Sequence, residues 1–249
     1  MINSILTMLQ GIPKWYQGPY YSYLADHSPA EVVEVLGNLN TFIEGNGPFD
    51  GILGFSQGGG IPASYILDLQ MRQPCLPPQV SFAIFISPAG PLSSSTRLFQ
   101  NEIEGLVKNP FHNSNIGTLS RKGDHLEAAK RIFLQHFSLI DLAHDEMGIS
   151  NPVFQLDFFD AHGVDAVPLY LHPLLVKDRI DIPTVHVMGK REITPMRQLS
   201  LVVQDMCDVL HMRALQHQGG HRLPVKDGLR ELASSIEWAA KQGVSESKL

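Results

Sequence analysis

With 249 residues, 43% hydrophobic and 18% charged, the chain can bury the core of one large α/β domain or two small ones. Lys and Arg number 19 against 25 Asp and Glu, a net charge of −6 with no basic cluster, which argues against nucleic-acid binding through phosphate neutralisation. Cys75 and Cys207 make neither a disulfide framework nor a four-thiolate metal site, and no apolar run reaches the ~18 residues of a membrane span.

The start, Met1 to Leu9, lacks the basic region of a secretion signal, so a soluble intracellular protein is expected. The first element is a helix over 28–44. Ser28 caps it, Pro29 suits its first turn, and Glu31 completes a Ser-x-x-Glu capping box. Val32, Val35, Leu36, Leu39 and Ile43 recur at helical spacing, and Gly45 to Pro48 end the pattern. A short apolar strand from Phe49 to Leu53 runs into Gly54-Phe55-Ser56-Gln57-Gly58, followed by a helix over 61–72. Val80 to Ser87 is a strand rich in β-branched and aromatic side chains. From Leu92 to Lys177 no strand rhythm appears. A helix is expected there over 124–137, with Leu126, Ala129, Ile132, Phe133 and Phe137 on one side. Thr184 to Met188 is a third strand. The next helix begins at Thr194 and Pro195 and carries Leu199, Val202, Val203, Met206 and Leu210. Met212 to His217 is a weaker strand, and a last helix over 227–241 is stopped by Gly243.

This alternation implies parallel strands joined by crossover helices. The expected architecture is a single α/β domain over 1–249, with 92–177 as a helical insertion that acts as a lid or as extra packing. Residues 243–249 form a polar tail.

Gly54-x-Ser56-x-Gly58 fits a nucleophile elbow, in which a strand turns sharply into a helix and holds a serine hydroxyl clear at its tip. The glycines two residues away let strand and helix approach, and the helix N-terminus favours developing negative charge. A dinucleotide fold would need Gly-x-Gly-x-x-Gly here, which Gly54, Gly58, Gly59 and Gly60 do not supply. A serine nucleophile needs a base and the base an orienting acid, in the chain order Ser, Asp or Glu, His. Glu192 follows the third strand and His221 the fourth, both in loops at the strand ends that also carry Ser56. The competing idea is a metal held by His217 and His221. Gly219 and Gly220 between them break the helical pairing such a site would use, and no third ligand is placed by spacing. The other nine histidines are expected to be packing or surface residues.

The chain finishes Ser247-Lys248-Leu249, the tripeptide read as a peroxisomal address, so a peroxisomal import receptor is an expected partner.

Phe49 to Gly59 and His217 to Pro224 together resemble the family of serine hydrolases (FSH), an α/β-hydrolase group common in fungi. Gly18 to Tyr23 resembles the aromatic segment that precedes the elbow in that group. The resemblance spans 18–90 and 180–240 and implies an ester or thioester hydrolase with no cofactor. A small acyl substrate is implied, in fungal secondary-metabolite or toxin biosynthesis. On this resemblance Ser56, His221 and Glu192 are nucleophile, base and acid, and the Gln57 N–H is an oxyanion donor. Tyr20, Tyr21, Tyr23 and Phe55 are expected to line an apolar acyl pocket. Two departures stand out: the family's acid is usually Asp, and Asp205 and Asp208 are fallback acids. The opening strand and His-Gly loop that supply the second oxyanion donor are not found upstream of Ser56. The sheet is therefore expected to be incomplete on that side, and the alternative reading is a weakened or catalytically silent binding or scaffold relative.

Overall fold

A computed structural model of the chain describes residues 22–25, 27–95, 97–101, 103–104, 125–147 and 164–246. Its elements are α1 (Pro29–Asn46), β1 (Gly51–Phe55), α2 (Gln57–Arg72), β2 (Phe82–Ile86), α3 (His125–Glu146), β3 (Thr184–Gly189), α4 (Thr194–Asp205), β4 (Met212–His217) and α5 (Asp227–Glu246). The described residues form two compact units, those within 22–33 and 93–170 and those within 34–92 and 171–246.

The second unit holds a parallel sheet ordered β1-β2-β3-β4. Its middle strands are apolar on both faces, as a covered parallel sheet requires: all six residues of β3 are buried, and four of five in β2. Alternation then divides the side chains. Ile84, Ile86, Val185 and Val187 join Leu232 and Ala239 of α5 in one core cluster, with Phe55, Leu215 and Trp238 at its margin. Each fully buried aliphatic side chain there contributes about 1.5–3 kcal/mol. Helix α2 packs on β1 and β2, and α4 on β3. Register sets Phe55 opposite Ile86, Ile86 opposite Val187 and Gly189 opposite His217, so all four strands end along one edge. Among the described residues, no strand pairs with the outer side of β1.

The first unit contains α3, whose buried stripe of Ala129, Ile132, Phe133, Phe137, Ile140 and Ala143 runs past the expected end at residue 137. The side chain of Leu126 lies outside the described residues. At the start of α1, Ser28 Oγ accepts from the Glu31 N–H at 3.3 Å. The Glu31 carboxylate reaches back further than a capping box does, to the amides of Ala25 (2.7 Å) and His27 (3.0 Å).

Four expectations are corrected. β1 starts at Gly51, two residues later than Phe49. α2 starts at Gln57, four residues earlier than expected, because Gly58 to Gly60 are helical despite their poor propensity. Packing overrides propensity there: a Cβ on Gly59 or Gly60 would lie 2.9 Å from Pro88 Cβ or Ala89 O. Leu210 is not on α4, which ends at Asp205; it sits in a 3-10 turn and is 81% exposed. Gly243 does not stop α5 but lies inside it, where a Cβ would come 2.3 Å from Ser81 O. No helix among the described residues is long and apolar enough to cross a membrane.

Candidate active site

Ser56 stands between β1 and α2 with φ 55° and ψ −127°, a conformation that costs an L-residue about 1–3 kcal/mol. Four backbone bonds hold it. Its N–H donates to Ile86 O at 3.0 Å, and its carbonyl accepts from the amides of Gly59 (2.9 Å), Gly60 (3.3 Å) and Ala89 (2.9 Å).

The loops after β3 and β4 are joined to each other. Lys190 N–H donates to His217 O at 2.8 Å, Arg191 N–H to Gly219 O at 2.9 Å, and Arg191 Nε to Gln218 O at 2.9 Å. Gly189 permits the approach, since a Cβ there would lie 2.4 Å from Gly220 O. From α4, Arg197 Nη2 donates to the carbonyls of Lys190 (2.8 Å) and Gly189 (3.2 Å).

These loops bring the three predicted polar side chains together. His221 Nε2 lies 2.9 Å from Ser56 Oγ, and His221 Nδ1 lies 3.1 Å from Glu192 Oε1. An ionised carboxylate can only accept, so Nδ1 carries the hydrogen and Nε2 accepts from the Ser56 hydroxyl. Glu192 is buried and takes two further donors: Ser87 Oγ to Oε2 at 2.6 Å and Ile193 N–H to Oε1 at 3.2 Å. Burial pushes its carboxyl up. The hydrogen bonds from His221, Ser87 and the Ile193 amide, with the attraction of the His221 imidazole whenever it is protonated, outweigh burial and hold it below the ordinary glutamate value.

That direction fixes a pH dependence. A carboxyl that titrates lower in the folded protein stabilises the fold fully above its unfolded value of ~4.3, and the contribution is lost as pH falls through the folded value. Denaturant midpoints are expected to fall more steeply for the wild type than for Glu192→Gln as pH drops below about 4. Parallel slopes would mean that the Glu192 carboxylate is not stabilised in the fold.

The remaining predicted residues divide. Gln57 opens α2 directly after Ser56, so its amide belongs to the first helical turn. Phe55 is half-buried between the sheet core and the imidazole, with its ring centroid 4.9 Å from that of His221. Tyr23, in the other compact unit, is 65% exposed. Tyr20, Tyr21, Ser247, Lys248 and Leu249 lie outside the described residues. The fallback acids are elsewhere. Asp205 ends α4, and Asp208 caps the turn before β4, accepting from the Leu210 N–H at 2.9 Å, at the opposite end of the strand from His217. His217 Nδ1 accepts from the Gly219 N–H at 3.0 Å, while both nitrogens of His221 face Ser56 and Glu192. A cavity of about 300 Å³ near the C-terminal end of α2, lined by Leu69, Gln70, Pro77 and Arg179 among others, shares no residue with this cluster.

Ser87 is the polar residue that sequence reasoning misses. One signal is present: it directly follows a buried parallel strand adjacent to the elbow strand, which puts it on the edge where open α/β sheets bind ligands.

Residues 12–232 match the family described as Serine hydrolase (FSH1). The chain is 30% identical over 231 residues to Esterase alnB of Emericella nidulans, covering 92% of this chain and 80% of that protein. It is 31% identical over 233 residues to Hydrolase FUB4 of Gibberella moniliformis, covering 88% and 75%. Among solved structures, Alpha/beta hydrolase domain-containing protein 10 from mouse aligns at a TM-score of 0.43 and 16% identity, over 83% of this chain and 68% of that one. A parallel sheet with an elbow after β1, together with a family match over most of its length, establishes that the chain belongs to the Serine hydrolase (FSH1) family and is a hydrolase of the α/β class.

Proposed function

We propose that this hydrolase cleaves a small carboxylic ester or thioester through Ser56, His221 and Glu192. Ser56 Oγ attacks the acyl carbon while His221 Nε2 takes its proton, and the oxyanion that forms points at the Gln57 amide. As the tetrahedral intermediate collapses, His221 returns the proton to the departing alkoxide or thiolate and the acyl group stays on Ser56. Water then attacks the acyl-serine, giving its proton to His221, and Ser56 is released with its hydrogen restored. Glu192 keeps the Nδ1–H tautomer and stabilises the imidazolium. No step calls for a cofactor. The observation that carries this reading is the unbroken hydrogen-bonded line from Glu192 through His221 to Ser56, at 3.1 and 2.9 Å. The resemblance to fungal serine hydrolases supports placing the substrate among acyl intermediates of fungal secondary metabolism.

A serine-directed fluorophosphonate probe is expected to label the wild type and to leave Ser56→Ala unlabelled. The alternative reading is a catalytically silent relative that lacks a second oxyanion donor. Losing one such donor costs about 10²- to 10³-fold in turnover, which slows labelling without preventing it. A folded wild type that never labels would establish the silent reading.

Peroxisomal delivery is part of the proposal, supported by Ser247, Lys248 and Leu249. A fluorescent protein extended by residues 243–249 is expected to collect in the peroxisomes of a fungal cell, and the same fusion lacking Leu249 to stay diffuse. A diffuse signal from both would remove the proposal.

A further inference from the structure

We propose that Ser87 is a positioning residue for the Glu192 carboxylate and, through it, for the His221 imidazole. The inference rests on the reading of Ser56, His221 and Glu192 given above. A glutamate reaches its partner through one more rotatable bond than an aspartate, so its carboxylate can swing unless both oxygens are held. Oε1 is held by the Ile193 N–H and shared with His221; Oε2 is held by Ser87 Oγ at 2.6 Å. Ser87 has no exposed surface, so without its hydroxyl no water replaces that donor freely, and a buried carboxylate oxygen loses its partner. With Oε2 unheld, the carboxylate is free to swing about its side-chain bonds, and the His221 Nδ1–H loses an acceptor fixed in place.

The backbone fixes the Ser87 hydroxyl in turn. Ser87 follows β2 with φ 42°, in the left-handed region that costs a non-glycine residue about 1 kcal/mol or more. Its N–H donates to Val187 O on β3 at 2.8 Å. The next carbonyl, of Pro88, accepts from Ser200 Oγ on α4 at 3.1 Å, and the Ala89 N–H donates to Ser56 O at 2.9 Å. Three consecutive residues therefore bind the acid by a side chain, the helix beyond the acid by a carbonyl, and the serine by an amide. Ser87 to Ala89 is the piece of chain that fixes the spacing between the two ends of the triad.

The test uses Ser87→Ala and Ser87→Gly on the full chain, with p-nitrophenyl butyrate as substrate. Both remove the hydroxyl, and glycine also accepts the left-handed backbone, so a folded variant is retained where alanine is strained. Each is expected to lower kcat about 10- to 100-fold with KM within about twofold of wild type. In a Glu192→Ala background, which leaves no carboxylate to position, the same change is expected to cost less than about threefold. Unchanged kcat in both variants would overturn the proposal, as would an equal loss in the Glu192→Ala background. Full activity in Ser87→Gly with a loss confined to Ser87→Ala would also overturn it, by tracing the effect to backbone strain. Failure of the triad reading looks different: Ser56→Ala would still take up the fluorophosphonate, and both proposals would fall together.

Discussion

His221→Ala is expected to lower kcat for p-nitrophenyl butyrate by about 10⁶-fold, and Glu192→Gln by about 10²- to 10⁴-fold, each with little change in KM. The inequality follows from what each side chain touches. His221 Nε2 is 2.9 Å from Ser56 Oγ and carries the proton in both half-reactions, so nothing substitutes for it. Glu192 acts only on the imidazole. In Glu192→Gln the amide oxygen is held at the Oε1 position, since the Ile193 N–H and the His221 Nδ1–H both donate there. The amide nitrogen then faces Ser87, whose hydroxyl can turn and accept. The Nδ1–H tautomer survives, and the loss is that of the negative charge beside a transient imidazolium. A glutamine that had to present its nitrogen to Nδ1 would cost the upper end of the range, about 10⁴-fold. Steady-state kinetics of the two variants read the difference directly. Activity of His221→Ala within about tenfold of wild type would put the proton on another base and sink the assignment. The double variant Ser56→Ala/His221→Ala should be no slower than Ser56→Ala alone, because the two residues act as a unit.

The parts of the site visible in the sequence are those whose chemistry forces a pattern. Ser56 is legible because its backbone needs small neighbours at two fixed positions, and Gly54 and Gly58 stand there. Glu192 and His221 are legible because each follows a strand pattern, and parallel strands deliver their following loops to one edge. Ser87 obeys the same topology but has no companion motif, so nothing separates it from any other serine that ends a strand. Gly243 misleads for a related reason. A glycine near a helix end signals a stop when the chain turns left-handed there, yet here it stays helical and gives room to the Ser81 backbone. Leu210 continues a helical spacing by accident of pattern: α4 has already ended, and Asp208 has opened a new turn by capping Leu210 N–H. In both cases a long-range contact or a local cap decides what spacing alone leaves open.

Gly54→Ala is expected to destabilise the protein by about 3 kcal/mol and to slow the surviving enzyme about 100-fold. A Cβ on Gly54 would lie 1.9 Å from Gly58 O, 2.6 Å from Gly58 C and 2.7 Å from Gly59 Cα. All three are backbone atoms, so no side chain can swing aside; β1 and the first turn of α2 must separate by roughly an ångström. That turn has little room to move, because Pro88 and Ala89 press on Gly59 and Gly60, and every residue from Gly59 to Asp68 is buried. The same displacement draws Ser56 Oγ away from His221 Nε2, and an ångström of misplacement at the reacting atoms is worth about 100-fold. For a chain of this size the stability loss corresponds to a Tm about 6–12 °C lower. Gly37→Ala supplies the internal control. Gly37 lies in α1, where an added methyl would meet nothing within 4 Å, so the same substitution relieves a poor helix former and is expected to raise stability by about 0.5–1 kcal/mol. Thermal unfolding of the two variants should therefore move in opposite directions. A Gly54→Ala protein that melts with the wild type and keeps its turnover would mean that strand and helix do not meet closely at the elbow, and the strained placement of Ser56 would lose its physical basis.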